Sequence, residues 1–180
     1  RRYVSLFCTE MSRRAVYGLD DTTGRLYATA SILHDIGKIA VPDSILRKPG
    51  PLTEEEWVIM RRHPITGMDL LRQSEWAEID QHYFGLASEI IGSHHEHWDG
   101  TGYPNGLAGT DIPLGGRIMA LCDCYDAVRS KRPYKPSRSH ESAVSFIANN
   151  AGLRFDPALV ELFHGIATGF EQIFAEHAND

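Results

Sequence analysis

The chain has 180 residues, a net charge of −6 and ordinary apolar and charged fractions, so a single domain over 1–180 with a sizeable core is expected and disorder is excluded. The acidic balance speaks against general nucleic-acid binding, which shows as a basic stripe, and no apolar run approaches the roughly 20 residues that span a bilayer. Cys8, Cys122 and Cys124 are an odd set without a disulfide framework, which fits reduced thiols in a cytoplasmic protein.

Val4, Phe7, Cys8, Met11 and Ala15 recur at helical spacing, which predicts an amphipathic helix to about Tyr17. Gly18 to Gly24 supplies turn residues. Leu26 to Ile36 reads as a mostly buried helix with Gly37 as its C-cap. Val41 to Pro51 is too rich in proline for a helix. Thr53-Glu54-Glu55-Glu56 is a capping box that starts a helix through about Arg62, and Pro64 restarts another to about Gln73. Phe84 to His94 is a further apolar helical run.

Between His97 and Pro113 lies a glycine-rich loop without apolar periodicity. Gly115-Gly116 releases a helix to about Val128, and Ser139 opens one to about Asn149. Asp156-Pro157 is an N-cap followed by proline at the first helical position, which starts the last one or two helices. No alternating strand pattern of useful length appears. The expectation is an all-α domain of about eight helices.

His34-Asp35 ends an uncharged run, where a charge is costly unless paired, hydrogen-bonded or bound to metal. The helix from Gly116 to Val128 is apolar on almost every side, which predicts burial, yet it carries Asp123 and Asp126 three residues apart on one face. His94-His95 ends another apolar helix, where histidines also serve to cap the last carbonyls. His63 precedes Pro64, a place where a lone histidine is more often structural than a ligand.

Together His34, Asp35, His63, His94, His95 and Asp123 lie on four segments, each at a helix end or in an apolar context. Imidazole and carboxylate suit iron, manganese, nickel or zinc, and the lack of nearby cysteine speaks against a structural zinc site. Six donors exceed one tetrahedral ion. A dinuclear centre with Asp35 as the bridge is the economical reading, and such a centre polarises a phosphoryl group and generates hydroxide at neutral pH. Arg132 and Lys135 follow the Asp123 helix closely enough to reach the same mouth, and read equally as a solvated basic patch. Tyr103 is either a packing residue or a ligand contact in a loop whose glycines let backbone approach a substrate.

His34-Asp35 with Lys38, then His94-His95-Glu96 and Asp99-Gly100-Thr101-Gly102-Tyr103-Pro104, resembles the HD-GYP family of HD-domain metal phosphohydrolases. The similarity includes Pro42-Asp43-Ser44-Ile45-Leu46, Lys48-Pro49-Gly50, Ile112-Pro113-Leu114, Arg117-Ile118, Asp126-Ala127, Arg132-Pro133-Tyr134-Lys135 and Phe155-Asp156-Pro157. It runs from about Ala30 to Val160. The HD dipeptide alone is a weak signal; these motifs in this order are a strong one.

The resemblance implies a helical domain that holds two divalent metal ions, iron or manganese, or three where upstream ligands exist. It implies hydrolysis of cyclic di-GMP to pGpG, and in some members to GMP, by metal-bound hydroxide; other members prefer a cyclic GMP-AMP dinucleotide. By motif position His34, Asp35, His63, His94, His95 and Asp123 would be the metal ligands. Lys38 would face the scissile phosphate, Arg132 and Lys135 would bind phosphate oxygens, and Gly102 with Tyr103 would shape the loop at the substrate. Asp126 would orient a ligand or a basic residue from behind.

One departure stands out. The family carries a further histidine about thirty residues before the HD pair, and no histidine precedes His34 here. The corresponding place falls at or just before Arg1-Arg2, so the chain is expected either to start just after that ligand or to have it substituted. A receiver or sensor domain before Arg1 is a common arrangement in proteins of this resemblance. The departure favours a second reading: a catalytically impaired sensor, or a module that docks a diguanylate cyclase domain through the loop around Tyr103. A dimer is compatible with either.

Overall fold

The computed structural model describes residues 1–130 and 137–177. The helices are α1 (Arg2–Arg13), α2 (Asp21–Ala30), α3 (Asp43–Leu46), α4 (Glu54–Met60), α5 (His63–Arg72), α6 (Trp76–Ile79), α7 (Gln81–Ser93), α8 (Leu114–Arg129), α9 (His140–Asn149) and α10 (Pro157–His177). The expected all-α class holds: eight of these helices run seven residues or longer, and the described residues include no strand, only two isolated bridges.

Tyr3, Val4, Phe7, Cys8 and Met11 form the buried stripe of α1. The helix stops at Arg13, short of Tyr17, because Ala15 and Tyr17 turn into the left-handed region with φ of 52° and 54°. That conformation is unfavourable for residues with a Cβ, and a specific tie offsets it. The Tyr17 hydroxyl donates to Asp156 Oδ2 at 2.7 Å, and the Arg117 guanidinium lies 4.8 Å from the Tyr17 ring centre. Arg117 also binds the same Asp156 oxygen at 2.8 Å, so one buried carboxylate joins the turn after α1 to α8 and α10.

The stretch expected as a turn from Gly18 to Gly24 is half helical, since Asp20 accepts from the Thr23 amide at 2.8 Å and starts α2 at once. Gly24 sits inside α2 because a Cβ there would come within 3.0 Å of Cys8 Cβ on α1. The predicted continuous helix to Ile36 breaks at Ala30 into 3-10 turns at Ser31–Leu33 and Ile36–Ala40. Gly37 is therefore not a C-cap. A Cβ on it would stand 2.0 Å from the His63 carbonyl oxygen and 2.5 Å from the Gly67 amide, so its absence lets this turn lie backbone to backbone on α5.

The proline-rich stretch expected to be non-helical holds one helical turn, α3, with the prolines flanking rather than interrupting it. The capping box is formed as expected: Thr53 Oγ1 accepts from the Glu56 amide at 3.3 Å and Glu56 returns the bond to the Thr53 amide at 2.7 Å. Lys48 Nζ binds the same Glu56 carboxylate at 2.5 Å and latches the preceding loop to α4. Asp80 caps α7, starting it three residues earlier than its apolar run suggests.

The core is one cluster in which Phe7, Tyr125 and Phe163 meet Phe170 edge to face and Tyr3 stacks on it, between α1, α8 and α10. A Cβ on Gly116 would lie 1.9 Å from Ser93 Oγ, so α8 presses on the end of α7, next to His94. After Asp156-Pro157 there is a single helix, α10.

Candidate metal centre

Four elements meet at one point. The turn after α2 brings His34 and Asp35, the first residue of α5 is His63, α7 ends into His94 and His95, and α8 passes with Asp123. Helix ends suit this task, since a terminal side chain projects past its own helix toward its neighbours. His63 and His94 are buried to within 1% and 0% of side-chain exposure, in a place where an isolated charge is costly.

The imidazoles are oriented from behind. His34 Nδ1 lies 2.8 Å from the Ser31 carbonyl, His63 Nδ1 2.9 Å from the Met60 carbonyl, and His94 Nδ1 3.0 Å from the Ile90 carbonyl. A carbonyl only accepts, so each Nδ1 carries a proton, and in the neutral ring it is Nε2 that presents the lone pair. Those lone pairs converge: His63 Nε2 and His94 Nε2 are 3.3 Å apart, and Asp35 Oδ1 lies 3.3 and 3.8 Å from them. Asp35 Oδ1 is buried without a hydrogen-bond partner.

Three acceptors facing one another repel unless a cation sits between them. Asp35, His63, His94 and His95 each offer a donor atom, all within 4.8 Å of one another, and the set fits a divalent metal ion. The second Asp35 oxygen faces the other way. Oδ2 lies 3.4 Å from His34 Nε2 and 2.6 Å from Lys38 Nζ, and His34 Nε2 is 3.7 Å from Asp123 Oδ1. The carboxylate thus presents one oxygen to each of two groups of donors.

Burial pushes His63 down to about 4 and lowers His95, which keeps both rings neutral at pH 7. Burial would also lower His34, but the Asp123 and Asp35 carboxylates outweigh it and raise this ring to about 9. For Asp35, burial would raise the carboxyl, but His34 and the Lys38 ammonium on its Oδ2 side hold it far below the usual range.

Tyr103 closes one side. Its ring stacks on His95 at 4.7 Å, and its amide donates to the His95 carbonyl. Gly102 is obligatory here, since a Cβ would fall 2.3 Å from the His97 amide nitrogen. Two side chains at this mouth carry no periodic signal and were not foreseen. Buried Glu96 accepts from the Asn105 and Leu107 amides at 2.7 and 3.1 Å and shapes the loop. Arg61, exposed at the end of α4, holds its guanidinium 5.7 Å from the Tyr103 ring centre and 5.6 Å from that of Trp57.

Asp126 is not buried as its apolar helix suggested. It is exposed one turn beyond Asp123, where it receives a 3.4 Å bond from Ser130 Oγ and lines a cavity of about 220 Å³ with Arg1, His34 and Asp123. The helix around it buries one face against α7 and α10 and leaves the carboxylate face open. Arg132 and Lys135 lie outside the described residues.

Comparison with known proteins agrees with this geometry. The family described as "HD domain" matches residues 4–159. The chain belongs to the HD-domain family. This HD domain is 48% identical over 155 residues to a cyclic di-GMP phosphodiesterase of Vibrio cholerae, covering 86% of the chain and 31% of the relative. It is 43% identical to the 3'3'-cGAMP-specific phosphodiesterase 2 of the same organism, covering 88% of the chain and 29% of the relative. The chain thus spans about a third of the length of these curated relatives. A solved HDG"Y"P protein from Bdellovibrio bacteriovorus shares the fold with a TM-score of 0.65 at 19% identity, over 92% of this chain and 50% of that one. Among the described residues no helix of the HD domain is long and apolar enough to cross a membrane.

Proposed function

We propose that this HD domain hydrolyses a phosphodiester bond of a cyclic dinucleotide, cyclic di-GMP in the first place, to pGpG, or to GMP where a second cleavage follows. The observation that carries the reading is Asp35, whose two oxygens face two separate groups of donors. Relatives named for cyclic di-GMP and for cGAMP support the substrate class.

Asp35 Oδ1 with His63, His94 and His95 would hold one ion, and Oδ2 with His34 and Asp123 a second, iron or manganese by donor type. Bound there, such ions supply Lewis-acid polarisation of a phosphoryl oxygen and lower the pKa of water. The protein's own groups do the rest. The Ser31, Met60 and Ile90 carbonyls keep the Nδ1 protons in place, so each ring offers Nε2. Lys38, held beside Asp35, is positioned to exchange that partner for a phosphate oxygen. Tyr103 shields His95 from water on one face, and Arg132 and Lys135 serve as further phosphate contacts, with Asp126 supporting from the rim.

The test is the double substitution His34→Ala, Asp35→Ala. Metal content and turnover of cyclic di-GMP should be lost while the helical circular dichroism spectrum remains, and retained hydrolysis would sink the proposal. One observation favours a second reading, a cyclic-dinucleotide sensor that has lost catalysis. Among the described residues the His34 side supplies fewer donors than the His63 side. Bound dinucleotide without product in a two-metal preparation would decide for the sensor. Either reading places the chain in the cytoplasm as one domain. It takes the exposed rim at Thr101, Asn105 and Gly106 as the face for a diguanylate cyclase domain, with a dimer as the assembly.

A further inference from the structure

We infer that Arg61 reads the guanine edge of the substrate, and that it does so from a platform made by Trp57 and Tyr103. The inference rests on the reading of the site as a cyclic-dinucleotide diesterase, and adds to it a residue that selects the base. It begins from an arginine at the mouth of the site that is held by aromatic rings. Arg13, Arg14, Arg72 and Arg117 each meet a carboxylate. Arg61 meets none among the described residues; its neighbours are the two aromatic rings.

The guanidinium is thereby held by cation–π contact while its N–H donors find no acceptor among the described residues. Such a group is pre-organised for an external acceptor. Its position is set by a stack: His95, a donor of the metal cluster, carries the Tyr103 ring at 4.7 Å, and the Tyr103 ring carries Arg61 at 5.7 Å. The guanidinium stands two stacking steps from the cluster. That is the relation a nucleotide has within itself, with the phosphate at the cluster and the base one sugar away.

The aromatic company argues for a base rather than a second phosphate. Trp57 is 39% exposed beside Arg61, and an exposed aromatic ring suits a stacked purine. A phosphate needs no ring. Among bases, guanine presents two acceptors, O6 and N7, on one edge and matches the guanidinium fork, whereas adenine puts an N6 donor where the fork also donates.

The experiment uses the metal-loaded chain as wild type, R61K and R61Q. The probes are cyclic di-GMP, cyclic di-AMP and bis(p-nitrophenyl) phosphate, a diester without a purine. With R61Q, kcat/KM on cyclic di-GMP should fall by about tenfold or more beyond any fall on the base-less diester, and the preference should move toward cyclic di-AMP. R61K should lose most of the same selectivity, because an ammonium keeps the charge and loses the fork. Wild-type selectivity in R61K would make Arg61 a phosphate contact, and an equal fall on all three probes would make it a brace for the Tyr103 loop; either overturns the inference. If the wild type hydrolyses none of the probes, the proposed function fails and the inference is decided by equilibrium binding. The affinity ratio of cyclic di-GMP to cyclic di-AMP should then drop in R61Q, and an unaltered ratio overturns it.

Discussion

Asp35 Oδ1 lies 3.3 Å from His63 Nε2, and with the His63 proton committed to the Met60 carbonyl neither atom has a hydrogen to share. The metal-free centre therefore holds a repulsion that a cation relieves. Asp35→Asn separates the two states. Its amide can donate to His63 Nε2 but gives up the charge that His34 and Lys38 face at Oδ2, so the metal-free variant should be no more stable than the metal-free wild type. The same change removes the only anionic donor of the four-residue cluster. The rise in Tm that manganese gives the wild type should vanish in the variant. Thermal unfolding with and without chelator measures both, and an unchanged manganese shift would refute the assignment.

Glu96 acts on the loop rather than on the cluster. Its two carboxylate oxygens take the Asn105 and Leu107 amides, and the side chain is 1% exposed. Glu96→Gln leaves one good acceptor for two donors, at a cost of about 1–3 kcal/mol for the orphaned amide. Hydrogen exchange at Asn105 and Leu107 should accelerate while amides in α8 keep their protection. Turnover should fall with the loop, since Tyr103 then loses its fixed place on His95. Unchanged exchange at both amides would show that the clamp is not needed.

Much of this was legible in the chain. The capping box at Thr53, the caps at Ser139 and Asp156 and the apolar stripe of α1 are local signals, and local signals survive tertiary context. His34, Asp35, His63, His94, His95 and Asp123 stood out because polar residues at apolar helix ends need partners. The failures were tertiary. Nothing near Gly24 or Gly37 in sequence says that Cys8 or the His63 carbonyl will press against them, so Gly24 was read as a turn residue and Gly37 as a C-cap. Asp126 was read as buried from its own helix, although burial is decided by which face α7 and α10 cover. Arg61 and Glu96 lie outside any periodic pattern, and only the folded loop reveals what they touch.

Gly37 gives a sharp test of that tertiary role. A methyl group there would collide with backbone atoms of α5 that cannot rotate away. Gly37→Ala should destabilise the chain by about 3 kcal/mol or more and displace Asp35 from His63, lowering metal affinity with it. Gly50→Ala is the matched control, because nothing lies within 4 Å of its Cβ position and its φ is not in the left-handed region. That change should be neutral or slightly stabilising through the unfolded chain. Urea titrations of both variants measure the difference, and similar midpoints would show that α5 yields at this contact.

The buried acids of the core set the response to alkali. Burial pushes the Cys8 thiol up to about 12 from an ordinary value of 9, and raises the Tyr3 and Tyr27 hydroxyls as well. Between those limits the unfolded chain has lost the Cys8 proton while the folded chain keeps it. The unfolded state then binds fewer protons, so stability falls as pH rises. The loss begins near pH 9 and steepens above 10 as the tyrosines of the unfolded chain ionise, at up to about 1.4 kcal/mol per pH unit for each group. Tm measured from pH 8 to 11 should therefore decline, and Cys8→Ala should flatten the first part of the decline. Below pH 9 the native thiols of Cys8 and Cys122, both buried and held protonated, should resist maleimide until denaturant is added. A Cys8→Ala variant with the wild-type slope between pH 9 and 10 would show that the thiol does not carry the effect.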